Sequence, residues 1–203
     1  MKKQIPAMGL ALFLFALPAA SQPANPLVLI KTDLGTIEVE VDPAKAPSTA
    51  VNFLRYVDAG LYDGSSFFRV VTMQNQPDSP VKIEVVQGGD VPEEKCFPPI
   101  AHETTAQTGL LHVDGAISMA RAKPGTATSS FFFCVGDQPE LDLGGHRNPD
   151  GQGFAAFGRV VSGMDVVRAI HKAPAEGETL TPPITITRAS RVQAQLPDPP
   201  TSF

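Results

Sequence analysis

The chain has 203 residues, with 16 Lys and Arg against 21 Asp and Glu, and its formal net charge of −5 is spread without a basic stripe. That balance lacks the cation excess that nucleic acid and anionic membrane surfaces require, which excludes both as partners. Two cysteines and four histidines, none at ligand spacing, leave nothing from which to build a zinc site.

Met1, Lys2 and Lys3 precede an apolar run from Ala7 to Leu17 and the small residues Ala19, Ala20 and Ser21. This is the order of a secretory signal peptide over 1–21, cut near Ala20 or Ser21, and the run is too short to span a bilayer as a mature helix. No cysteine ends the run, so no lipid anchor is expected on the mature form. The expected location is the periplasm, with secretion to the medium as second choice. Removing the leader leaves roughly 180 residues, enough for one domain with a sizeable core, and a charge of about −7. Residues 22–26 (QPANP) read as a flexible mature N-terminus.

The runs 27–31 and 36–41 flank Asp33-Leu34-Gly35, and Ile37, Val39 and Val41 alternate with Glu38 and Glu40. That period of two, around a tight turn, predicts a hairpin. A helix is predicted over 48–59, where Ala50, Phe53 or Leu54, Val57 and Leu61 recur at helical spacing, with Pro47 near the start and Gly60 near the end. Further strands are predicted at 66–71, 81–87, 115–120, 130–135, 155–160 and 183–189. A second helix is expected from Ser162, which stands at capping-box spacing from Asp165 and precedes an apolar side of Met164, Val167 and Ile170. The connections 72–80 and 137–153 have the length of functional or mobile loops, and the Pro-rich tail 191–203 reads as flexible. About eight strands, two helices and no βαβ repeat argue for a mostly-β fold, a closed barrel or a sandwich, in one domain over 27–190. A closed barrel hides its edges, which suits an exported monomer. Export permits a Cys96–Cys134 disulfide, but the sequence does not show that the two come close enough, and Cys134 in its apolar run reads more readily as a small buried residue.

Nucleophile chemistry has little to stand on. Ser118, Ser129 and Ser130 have no G-x-S-x-G frame, and the glycine-rich 87–90 (QGGD) lacks the lysine of a phosphate loop. More telling are F-F-R-V at 67–70, with Arg69 set among apolar residues, V-Q-G-G-D at 86–90, S-M-A-R at 118–121, S-S-F-F-F at 129–133 and F-G-R-V at 157–160. In a strand, Phe132 points opposite to Phe131 and Phe133, so one set fills a core while the other lines a groove. Asp90 and Asp114 read as turn and surface groups.

In order and number these motifs resemble the cyclophilin family of peptidyl-prolyl cis-trans isomerases, from about Leu27 to Arg188. The resemblance implies an eight-stranded antiparallel barrel capped by two helices, acting on proline-containing polypeptides without a cofactor or metal. It implies Arg69 as the catalytic arginine and Gln87 as the amide that orients it and the substrate. Phe132 becomes the floor of the proline pocket, Val85 and Phe154 its walls, and Ala120 and Arg121 the strip under the substrate backbone. Ser130 stands where the family commonly has Gln, Phe154 where many members have His, and the chain from Val70 to Val85 is longer than in compact members. The alternative is a non-catalytic module of the same fold, a chaperone that holds proline segments without turning them over.

Overall fold

A computed structural model describes residues 25–192. The expected leader, most of the segment 22–26 and the tail from 193 onward lie outside the described residues. Asn25 and Pro26 are tied to the domain, through Glu40 and through the Val41 amide respectively.

The strands are β1 (Leu27–Thr32), β2 (Gly35–Val41), β3 (Ser66–Val71), β4 (Val85–Gly88), β5 (Ala116–Met119), β6 (Phe131–Cys134), β7 (Ala155–Ser162), β8 (Ala175–Glu176) and β9 (Thr179–Arg191). The helices are α1 (Pro47–Asp58), α2 (Thr105–Thr108) and α3 (Met164–His171). Pairing is antiparallel in the order β1-β2-β7-β5-β6-β4-β3-β9, and β1 pairs back onto β9, so eight strands close a ring. The two-residue β8 pairs with β9 outside that ring. The expected barrel is therefore present, with one additional short strand and one additional single-turn helix. Closure leaves no long edge unpaired.

Alternation along the strands sorts apolar side chains into two clusters. Inside the barrel, Val28, Ile30, Ile37, Val39, Phe67, Val70, Ile117, Phe131, Phe133 and Phe157 pack together. The two longer helices seal this interior. Phe53 of α1 sets its ring against Phe131, Phe157 and Tyr62 at 5.1–5.4 Å, while Val166, Val167 and Ile170 of α3 join the same cluster. The first amides of α1 have no local side-chain cap. Glu103 supplies one from a distant loop, accepting from the Ser48 and Thr49 amides and from the Thr49 hydroxyl. A carboxylate there satisfies orphan donors and complements the helix dipole. On the outer face, Val71, Ile83, Val85, Phe132, Cys134 and Leu141 form a second cluster, against which Ala120 and Phe154 pack.

Three predicted boundaries move. Strand pairing on β4 begins at Val85 rather than at residue 81. Residues 81–84 belong instead to a loop held by its own side chains: the Gln76 amide donates to the Thr72 and Ile83 carbonyls, and Ser79 Oγ donates to the Val81 carbonyl. The second helix does not start at Ser162. That residue ends β7, paired with Glu38, and Gly163 at φ 88° is the N-cap. A Cβ at Gly163 would lie 2.3 Å from the Thr36 carbonyl, so the turn from strand into helix needs glycine. The last strand runs from Thr179 rather than from 183, because pairing with β3 resumes on both sides of Pro182 and Pro183.

Cys96 and Cys134 are both free. Cys134 is buried, which pushes its thiol well above the ordinary range. Among the described residues no helix is long and apolar enough to cross a membrane, and no cluster of side chains is suited to hold a metal ion.

Candidate active site

Register brings the predicted residues together. Arg69 on β3 pairs with Gln87 on β4, and Gln87 pairs with Phe132 on β6. Directly paired residues share a face, so the three side chains form a row across three neighbouring strands. A bulge makes the row possible. Pairing on β3 steps from Phe67↔Gly88 to Arg69↔Gln87, leaving Phe68 as the extra residue. Strict alternation from Phe67, which is inside the barrel, would have buried Arg69 there too, and the extra residue turns it outward. Close packing explains the two glycines that follow. A Cβ at Gly88 would meet the Phe67 ring at 2.6 Å, and Gly89 turns the chain at φ 81° beneath Tyr62 and Phe131.

Arg69 is held from two sides. Its Nη1 donates to Gln87 Oε1 at 2.8 Å, while Nε and Nη2 donate to Glu178 Oε2 at 2.8 and 2.6 Å. A guanidinium has about five N–H donors, so one hydrogen on each terminal nitrogen remains free. Beside it lies a hollow of about 250 Å³, lined by Arg69, Val85, Gln87, Ala120, Arg121, Phe132 and Phe154 among the predicted residues. Phe132 and Phe154 meet edge to face, with centroids 5.4 Å apart. A larger hollow of about 510 Å³, beside Glu40, Lys45 and Leu111, contains none of the predicted residues.

Two predicted residues are placed differently from the rest. Ser130 does not line the pocket, and its hydroxyl turns to the Gly88 carbonyl at 3.3 Å. The Arg121 side chain is 1% exposed. It is bound to both Asp150 oxygens and to the Gly153 carbonyl. Its guanidinium therefore fixes the loop that carries Phe154, whose ring centroid is 5.2 Å away. Asp150 is held down at about 2, first by the Arg121 hydrogen bonds and then by the Gln152 amide.

Other residues at this site escaped the sequence reading. Glu178 sits in the turn between β8 and β9, where Glu176-Gly177 is a turn signal that could have exposed the hairpin. Ile83, Arg147 and Asn148 also line the pocket, the latter two from the long connection 137–153. Behind Phe132, the buried His112 stacks on its ring at 6.0 Å. His112 Nδ1 lies 2.7 Å from Asp142 Oδ1, and Nε2 lies 2.9 Å from Ser118 Oγ. This is the connectivity of a serine hydrolase, but Ser118 is 0% exposed behind the pocket floor, out of reach of any substrate. The arrangement braces Phe132. No local spacing links His112 to Asp142, so only the fold reveals it.

The fold and this row of side chains define a closed barrel with a small pocket, bordered by Phe132, Val85 and Phe154, beside a fixed arginine. The family model described as cyclophilin type peptidyl-prolyl cis-trans isomerase/CLD matches residues 27–191. A protein named peptidyl-prolyl cis-trans isomerase A from Dickeya dadantii is 38% identical over 164 residues, 78% of each chain. One named peptidyl-prolyl cis-trans isomerase from Acinetobacter baylyi is 38% identical over 156 residues, 74% of each. The crystal structure of a cyclophilin type peptidyl-prolyl cis-trans isomerase from Cryptosporidium parvum shares the fold at a TM-score of 0.63 and 20% identity, covering 84% of this chain and 99% of that one. The chain belongs to the cyclophilin-type peptidyl-prolyl cis-trans isomerase family, and it is an enzyme of that class.

Proposed function

We propose that this protein accelerates cis-trans rotation about X–Pro bonds in exported, folding polypeptides, and that Arg69 carries the catalysis. The observation behind this reading is the Arg69–Gln87–Phe132 row on paired strands. Rotation about an X–Pro amide breaks C–N resonance and meets a barrier of about 20 kcal/mol. No covalent bond has to form or break, so neither a nucleophile nor a metal is required. As the bond twists, the proline nitrogen regains its lone pair and accepts a hydrogen bond better than in either planar state. A donor held in place at that nitrogen stabilises the twisted state selectively, which lowers the barrier. Arg69, oriented by Gln87 and Glu178, retains free N–H groups for this role. Phe132, Val85 and Phe154 hold the proline ring while the carbonyl side rotates, and Ala120 and Arg121 underlie the substrate backbone. The signal-like order of 1–21 supports action in the periplasm, and the closed barrel, which leaves no long edge unpaired, supports a monomer.

The test is an isomerisation assay on a proline peptide with wild type and Arg69→Ala. The expected fall in kcat/KM is about 100-fold or more, equivalent to about 2.7 kcal/mol of transition-state stabilisation. Peptide affinity should change far less. Arg69→Lys should recover only part of the rate, since an ammonium lacks the rigid donor fork. A folded Arg69→Ala protein with a near-normal rate overturns the mechanism. Binding without acceleration by the wild type would favour the non-catalytic module instead.

A further inference from the structure

Three arginines line the proposed proline pocket, and two of them are neutralised. Arg69 pairs with Glu178 at 2.6 Å and Arg121 with Asp150 at 2.7 Å. Arg147 is the exception. Its Nη1 donates to Gln76 Oε1, Ser79 Oγ and the Val81 carbonyl at 2.7–2.9 Å, all uncharged acceptors. Its Nε and Nη2 make no hydrogen bond, and it has no ion-pair partner, among the described residues. Burial first, and then the nearby Arg69, press against its protonated form, and Glu178 offsets them only in part. Next to it, Asn148 lines the same pocket, and its amide nitrogen is buried without an acceptor. The pocket lining thus includes one arginine without an ion-pair partner, and an unmet buried donor lies beside it, in a protein whose overall charge is negative. Unmet buried donors and a partly desolvated cation are what a carboxylate relieves.

We propose that Arg147, with Asn148 beside it, makes this pocket selective for proline segments that carry a carboxylate within one residue of the proline. The inference rests on the isomerase reading above and names the substrate class of that same pocket. The hollow is only about 250 Å³, so a group that reaches Arg147 while proline sits on Phe132 must belong to an immediate neighbour in the peptide. The net negative surface gives acidic peptides no long-range attraction, so selectivity arises at the pocket itself.

The experiment compares matched peptides with Glu or Gln just before the proline, and a second pair with Glu or Gln just after it. Exchange NMR reads the rates without a coupling protease whose own charge preference would intrude. Wild type should prefer Glu to Gln by about fivefold or more in kcat/KM at one of the two positions. The preference should shrink as salt is raised. Arg147→Gln should bring the ratio to about one, and Arg147→Lys should keep part of it. Because the ratio is internal to each protein, a loosened 72–84 loop would lower both rates and leave the ratio unchanged. A wild-type ratio near one at both positions, or the same ratio in Arg147→Gln, overturns the proposal. Absence of turnover on the Gln peptides as well would instead overturn the isomerase reading.

Discussion

At the residue scale, the ion pair between Arg69 and Glu178 matters for orientation more than for stability. The two side chains are 35% and 30% exposed, and pairs so open to water contribute little to folding. Glu178 occupies two of the arginine's nitrogens and, together with Gln87, leaves the guanidinium little freedom to rotate. A misaligned donor stabilises the twisted amide poorly. Glu178→Ala should therefore lower kcat by about tenfold with little change in KM or Tm. Glu178→Gln, which keeps a neutral acceptor, should recover part of that loss. Steady-state kinetics with thermal melts checks this, and an unchanged kcat in Glu178→Ala excludes the positioning role. Arg69 was legible in the sequence because a lone cation inside an apolar strand run has to be accounted for. Glu178 was not, because its partner lies 109 residues earlier and the prolines after Thr179 mask the strand that delivers it.

At the scale of elements, the long connection 137–153 could be marked as unusual from its length alone, but its order comes from contacts that sequence does not display. Leu141 anchors it in the outer cluster, the Gly144 amide bonds to the Gly151 carbonyl, and Arg121 clamps Asp150 and Gly153 from across the pocket. Similar reasoning explains the Ser162 error: its spacing to Asp165 is that of a capping box, yet pairing with Glu38 keeps Ser162 in β7. The Arg121–Asp150 clamp yields a pH prediction. The Asp150 carboxyl is held at about 2, below the ordinary value of about 3.9. A lowered folded-state value means the clamp's contribution is complete above the ordinary value and is lost as pH falls through about 2. Asp150→Asn should thus melt below wild type near neutral pH, and the gap in Tm should close between about pH 4 and about pH 2. It should also raise KM for proline peptides, since Phe154 loses its brace. A gap in Tm that persists unchanged through that window would show that the clamp is not the origin of the difference.

For the molecule as a whole, closing the barrel separates the inner cluster that holds the fold together from the outer face that carries the proposed site, and residues 131–133 lie on the boundary. Consecutive strand residues must face opposite sides whatever their partners, so this division was readable before any contact was known. Which side was the interior depended on closure and on the β3 bulge, which only the paired strands reveal. Phe131 touches the rings of Phe53, Tyr62, Phe67 and Phe133 inside the barrel. Phe132, one residue on, packs between His112 and Phe154 at the pocket. Phe131→Ala should cost about 3–5 kcal/mol in urea unfolding, the range for removing a buried aromatic ring enclosed on all sides. The molecules that remain folded should bind proline peptides with near-normal KM. Phe132→Ala should cost less stability, because the open pocket already borders one side of its ring. Its KM should rise and its kcat/KM fall, since the proline ring loses its floor. Denaturation curves and peptide kinetics on the two variants check the division. If Phe132→Ala keeps the wild-type KM, or Phe131→Ala is the variant that loses peptide affinity, then the outer face is not where proline binds.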